Sequence, residues 1–357
     1  MDRAELTVPQ DWDDITPEWM TAALGGRHPD AEIGEVRVRL RDDGTNRRAR
    51  LALTYAKGTG PATVFVKATD PAHTPLHKLT SGLFHEPRLF DAGVPLPVDH
   101  PTVYAAPIDT AADRFCLVME DLPARGATML DATTPLSEEQ AAAGVRALAR
   151  LHSAYWGDRV RDPKLHWLEP FRPWGDVMRA APIEKTFERL GADAPPEVTA
   201  LTVDSLIDDV WEPYIHTLTT TAPTLLHGDP HIGNTYLLPD GEIGFLDWQV
   251  VRRGNWSLDV GYFLQGALTV SDRRRSERAL LTEYRDTLAL PADEKPTAEE
   301  IWLRYSASVA HGLTLWLATA SAGELWQRPD IALALAQRYS TAYADLDTPA
   351  ALRRIST

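Results

Sequence analysis

The chain has 357 residues, 36 Lys and Arg against 51 Asp and Glu, and a net charge of −15. At roughly 100–200 residues per domain this length predicts two units or one domain with two lobes, and 44% hydrophobic with 24% charged residues predicts a buried core and excludes disordered, collagen-like or coiled-coil chains. The acidity argues against a nucleic-acid partner, because phosphate backbones demand a cationic face.

The opening segment, 1–14, has no apolar stretch of signal-peptide length, and no later run of roughly 18 apolar residues would span a membrane. A cytoplasmic protein without a membrane partner is expected. Thr16-Pro17-Glu18-Trp19 predicts a helix start, with Thr16 as N-cap and Pro17 in the first turn. Val36, Val38 and Leu40 then alternate with Arg37, Arg39 and Arg41, the pattern of a half-buried strand whose arginines form its wet face. A second strand alternates Ala49, Leu51, Leu53 and Tyr55, and Gly58-Thr59-Gly60 marks a turn into a third, Thr63–Lys67. An antiparallel meander over about 35–68 follows.

Residues 83–90 predict a helix, and a Pro-rich connection precedes the apolar strand Phe115–Met119. The single cysteine, Cys116, cannot form an internal disulfide. Ser137-Glu138-Glu139-Gln140 is a capping box before Val145, Leu148 and Leu151 at helical spacing. Trp302, Tyr305, Val309 and Trp316 repeat that spacing, and Arg273-Arg274-Arg275 reads as a solvated run. A small strand-rich part thus precedes a larger helical one, with the break near residue 120. The nine tryptophans beyond residue 150 fit core packing and an acceptor pocket equally well.

The chemistry concentrates in His227-Gly228-Asp229-Pro230-His231-Ile232-Gly233-Asn234 and the following hairpin to Asp247-Trp248-Gln249. A two-residue turn at Asp240-Gly241 would place Leu238 opposite Ile243 and Asn234 opposite Asp247. Directly opposed residues have Cβ atoms about 4.5–5.5 Å apart, close enough for a carboxylate and an amide oxygen to hold one hard cation such as Mg²⁺. Asp229 adds a second carboxylate, so one can accept a proton while the other holds metal, which is what phosphoryl transfer needs. The alternatives are a hairpin with merely solvated polar ends, or a transition-metal hydrolase using His227, Asp229 and His231.

The motif His227-x-Asp229-x-x-x-x-Asn234 followed by Asp247 resembles the catalytic and metal-binding loops of protein-kinase-like phosphotransferases. The form His-Gly-Asp-x-His-x-Gly-Asn with Asp-Trp-Gln is similar to the aminoglycoside phosphotransferase/choline kinase superfamily. The resemblance implies a bilobal α+β fold with a small antiparallel-sheet N-lobe and a larger, mainly helical C-lobe. Residues 1–118 would form the nucleotide-binding lobe, 119–123 the hinge, and 124–357 the lobe with the catalytic loop and acceptor site. It further implies transfer of a phosphoryl group from ATP, with Mg²⁺, to a small-molecule hydroxyl.

By the same resemblance Asp229 is the catalytic base, and Asn234 and Asp247 are the Mg²⁺ ligands. Lys67 holds the ATP phosphates and Glu86 is its ion-pair partner. Gly44, Thr45 and Asn46 lie in the phosphate loop, which has one glycine instead of the G-x-G-x-x-G of protein kinases. The backbone of Met119, Glu120 and Asp121 meets adenine, while His227 and Asp259 brace the catalytic loop. Pro87, directly after Glu86, is expected to kink the helix that carries Glu86. A choline, amino-alcohol or steroid kinase is the alternative within the class, and a catalytically idle nucleotide-binding module the alternative outside it.

Overall fold

A computed structural model describes residues 6–41 and 43–355; Asp42 of the expected phosphate loop lies outside the described residues. The chain divides into two compact units, Met1–Pro95 with His100–Ala127, and Leu96–Asp99 with Thr128–Thr357.

In the first unit Thr16 Oγ1 accepts the Trp19 N–H at 3.2 Å and starts the helix Pro17–Leu24. Its strands are β1 (Glu32–Arg41), β2 (Asn46–Lys57), β3 (Thr63–Thr69), β4 (Val103–Ala105), β5 (Ile108–Asp109) and β6 (Arg114–Glu120). The sheet runs β1-β2-β3-β6-β4, with β5 also on β6, and all pairings are antiparallel. Ala49, Leu51 and Leu53 of β2 pack with Val64 and Val66 of β3 and with Met20 and Leu24 of the helix. That period-2 burial follows from the pleat.

β1 departs from its pattern. Ile33 is buried, but Val38 and Leu40 are 40% and 51% exposed. β1 is an edge strand, and toward Arg41 nothing covers either face. Alternation reports a strand here without reporting a buried side.

The second unit contains β7 (Thr128–Met129), β8 (Thr224–Leu226), β9 (Thr235–Leu237), β10 (Ile243–Phe245) and β11 (Arg252–Gly254). They form a three-stranded sheet β10-β9-β7 and a pair β11-β8. Ser137 and Gln140 make the reciprocal capping box of the helix Glu138–Ala154, which buries Val145, Leu148 and Leu151. The helix Ser257–Ala267 is buried at every position, as a helix enclosed by others must be. It packs against Glu138–Ala154, Ala298–Ser321 and Pro329–Asp345. Trp211, Trp248 and Trp256 are fully buried core residues. Arg273 is buried too, held by Glu277 at 2.8 Å and by Asp345, so the arginine run is only partly solvated. Among the described residues no helix is long and apolar enough to cross a membrane.

Candidate active site

β8 ends at Leu226 and feeds the loop 227–234. Gly228 sits at φ +86°, where a side chain would be strained and a Cβ would meet the Val250 carbonyl. The loop is pinned from below by Asp259, on the fully buried helix Ser257–Ala267. Its carboxylate accepts the N–H of His227 at 2.7 Å and of Gly228 at 2.9 Å, and stands 3.2 Å from Nε2 of His152. The Asp259 carboxylate can only accept, so His152 Nε2 carries the proton, and Nδ1 accepts from the Tyr284 hydroxyl at 2.7 Å. His152 and Tyr284 carry no sequence signal for this role beyond their helices.

His227 is bound at both ring nitrogens. Nδ1 accepts the Asp229 N–H at 3.2 Å, and Nε2 donates to the Leu246 carbonyl at 3.0 Å. The imidazole therefore ties the loop to the segment entering Asp247, with the Trp248 ring 4.5 Å away. This disposes of the transition-metal ligand set, because neither nitrogen of His227 is left for a metal. Among the described residues no cluster of three or more His, Cys, Asp or Glu could hold a metal ion.

Asn234 donates from Nδ2 to the Asp229 carbonyl at 2.9 Å and to Asp229 Oδ2 at 3.1 Å. Its amide orientation is thereby set and Oδ1 is turned away from Asp229. The hairpin beyond differs from expectation by one position. Leu237 pairs with Ile243, Tyr236 with Gly244 and Thr235 with Phe245, while Leu246 donates to the Asn234 carbonyl at 3.0 Å. A two-residue I′ turn needs positive φ at both central residues. Only Gly241 has it, at +90°, so Pro239-Asp240-Gly241 form a three-residue loop. Asp247 therefore stands one residue past Asn234's partner, and it reaches the site through a left-handed backbone, φ 63° and ψ 65°.

Burial, and after it the negative charge of Asp247, push the Asp229 carboxyl well above the usual range, against hydrogen bonds from Asn234 and Tyr262. Tyr262, on the buried helix, is a neighbour of the carboxylate that the sequence reading missed; its hydroxyl is itself pushed up by burial and by Asp229. Two carboxylates and an amide oxygen offer only hard oxygen donors. That set would suit Mg²⁺, which Asn234 and Asp247 would hold.

In the first unit Lys67 Nζ lies 2.6 Å from Glu86 Oε2, both buried. The expected kink is absent, since the helix is His85–Asp91 and Pro87 falls in its first turn, where backbone N–H groups have no intrahelical partner. Gly44 N–H turns to the Asn46 carbonyl at 2.9 Å, and His77 Nε2 lies 3.0 Å from the Thr45 carbonyl. Asn46 is buried in the ladder opposite Thr69. Met119 and Glu120 end β6, paired with Phe65 and Val64. The Asp121 side chain is taken by Arg50 at 3.0 Å and Thr63 at 2.7 Å, so it braces the strands.

Residues 50–300 match the phosphotransferase enzyme family. The chain belongs to this family. It is a small-molecule kinase. No curated protein matches it. Among solved structures, the phosphotransferase is similar to a choline kinase from Cryptosporidium parvum, at 9% identity and TM-score 0.54 over 96% of each chain. It is also similar to an ethanolamine kinase from Plasmodium vivax, at 11% identity and TM-score 0.51, covering 99% of this chain and 93% of that one. At these identities the likeness is one of fold.

Proposed function

We propose that this phosphotransferase moves the γ-phosphoryl group of ATP to a hydroxyl of a small molecule, with Asp229 as the base. The observation that carries this reading is the Asn234 amide fixed on Asp229 Oδ2 at 3.1 Å. It aims the carboxylate and leaves the Asn234 oxygen for a cation.

Asp229 orients the acceptor hydroxyl and takes its proton as the oxygen attacks phosphorus. Its raised affinity for protons suits a base that must hold one. Asn234 and Asp247 would hold Mg²⁺, which neutralises phosphate charge when bound. Asp259 and His227 keep the loop's backbone in place. Lys67, held by Glu86, would position the phosphates, and the backbone at Met119–Asp121 would meet the nucleobase.

The test is an ATP-consumption screen over hydroxylated compounds, from aminoglycosides to choline, ethanolamine and steroids, with Mg²⁺ present. Stoichiometric ADP and a phosphorylated acceptor are expected. Turnover supported by Zn²⁺ and not by Mg²⁺ would overturn the reading.

A further inference from the structure

Each side-chain N–H donor of the 227–234 loop is engaged except one. His227 is bound through both nitrogens, and Asn234 Nδ2 is held by Asp229. His231 caps the short turn Ile232–Asn234, its Nδ1 accepting the Gly233 N–H at 3.1 Å. Nδ1 therefore carries no proton and Nε2 carries one. Among the described residues that Nε2–H has no hydrogen-bond partner. The residue is partly exposed and Nε2 is not among the enclosed unpartnered atoms, so the N–H is presented outward.

The ring is held in this pose by aromatic edges. Trp316 lies 5.2 Å away at 79° and Tyr262 6.0 Å away at 62°, and both are buried. Because Nδ1 accepts the Gly233 N–H, the ring is a neutral donor of fixed tautomer, with Asp247 near it. A cationic side chain at this place would pair with Asp229 or Asp247 and weaken the base. A neutral N–H offers a hydrogen bond to an incoming phosphoryl oxygen without doing so.

We propose that His231 is a catalytic residue whose Nε2–H donates to an oxygen of the transferring phosphoryl group. The inference rests on the phosphoryl-transfer reading above. Removing one such preorganised donor lowers kcat by about 10²- to 10³-fold in comparable sites.

Two variants separate this role from the cap. In His231→Asn the side-chain oxygen can still accept the Gly233 N–H, but nothing reaches where Nε2 stood. In His231→Gln the amide nitrogen reaches that place. We expect His231→Asn to keep the wild-type Tm and His231→Gln, which gives up the cap, to fold with a Tm lower by about 2–4 °C. The Asn variant should lose about 10²- to 10³-fold in kcat with KM for ATP unchanged, and the Gln variant should recover most of that loss. Wild-type kcat in His231→Asn, or equal loss in both folded variants, would overturn the inference while leaving the phosphoryl-transfer reading intact. A wild-type protein that consumes no ATP with any acceptor would overturn that reading, and this inference with it.

Discussion

Asp259 holds two consecutive backbone N–H groups, those of His227 and Gly228, on its two carboxylate oxygens at 2.7 and 2.9 Å. The carboxylate is fully buried, as is His152 on its third side. The position of Asp229 is therefore set by a group that never meets substrate. Asp259→Ala should cost about 3–5 kcal/mol in chemical denaturation, since two buried N–H groups and His152 lose their acceptor. Activity should fall with it. A loss under about 1 kcal/mol would show that the loop is held by something else.

Lys67 and Glu86 form a buried ion pair at 2.6 Å. Lys67→Met leaves Glu86 enclosed with its main counter-charge gone and should cost about 3–5 kcal/mol. The double variant Lys67→Met/Glu86→Leu should regain most of that stability, because neither charge is then buried alone, yet it should remain inactive. Denaturation of the two single variants and the double variant measures the coupling. Additive losses would contradict the pairing.

Burial and Asp247 raise the Asp229 carboxyl well above its ordinary value. A group whose native pKa exceeds the unfolded one stabilises the fold fully below about pH 4. That contribution is lost as pH climbs through the raised native value. In EDTA, Tm of the wild type should therefore decline from about pH 4 upward more steeply than Tm of Asp229→Asn. The variant should be the more stable at pH 7. Parallel Tm–pH curves would contradict the assignment.

Gly241 occupies φ +90° with open space around the site of a Cβ. Gly241→Ala should cost about 1 kcal/mol from backbone strain alone, with kcat unchanged. Gly228 has a similar φ, but there the Val250 carbonyl blocks a Cβ. Gly228→Ala should therefore abolish activity as well as stability. Comparing kcat and Tm of the two variants separates turn strain from damage to the loop.

Much of this was legible in the sequence wherever a local signal has one physical solution. Thr16 and Ser137 cap the helices they precede, and Ala49, Leu51 and Leu53 bury as their alternation demands. The spacing from His227 to Asn234 marks a loop in which Asn234 bonds to Asp229. What failed depended on choices that a pattern leaves open. Asp-Gly serves both a two-residue and a three-residue hairpin loop, and the backbone of Asp240 chose the latter, shifting Asn234 from Asp247 to Leu246. Val38 and Leu40 alternate like buried residues but lie on an edge strand with no cover. Tyr262, His152 and Tyr284 were hidden because their role comes from tertiary neighbours on helices far along the chain.

In the proposed reaction Asp229 accepts the proton of a hydroxyl that attacks ATP. The most direct test is the steady-state rate of phosphorylated-acceptor formation by wild type and Asp229→Asn, with Mg²⁺ and saturating ATP. Asn keeps the volume and the contact to Asn234 while losing the base. Turnover by the wild type is expected, with a kcat lower by about 10²- to 10⁴-fold in the folded variant. Full turnover by Asp229→Asn would contradict it.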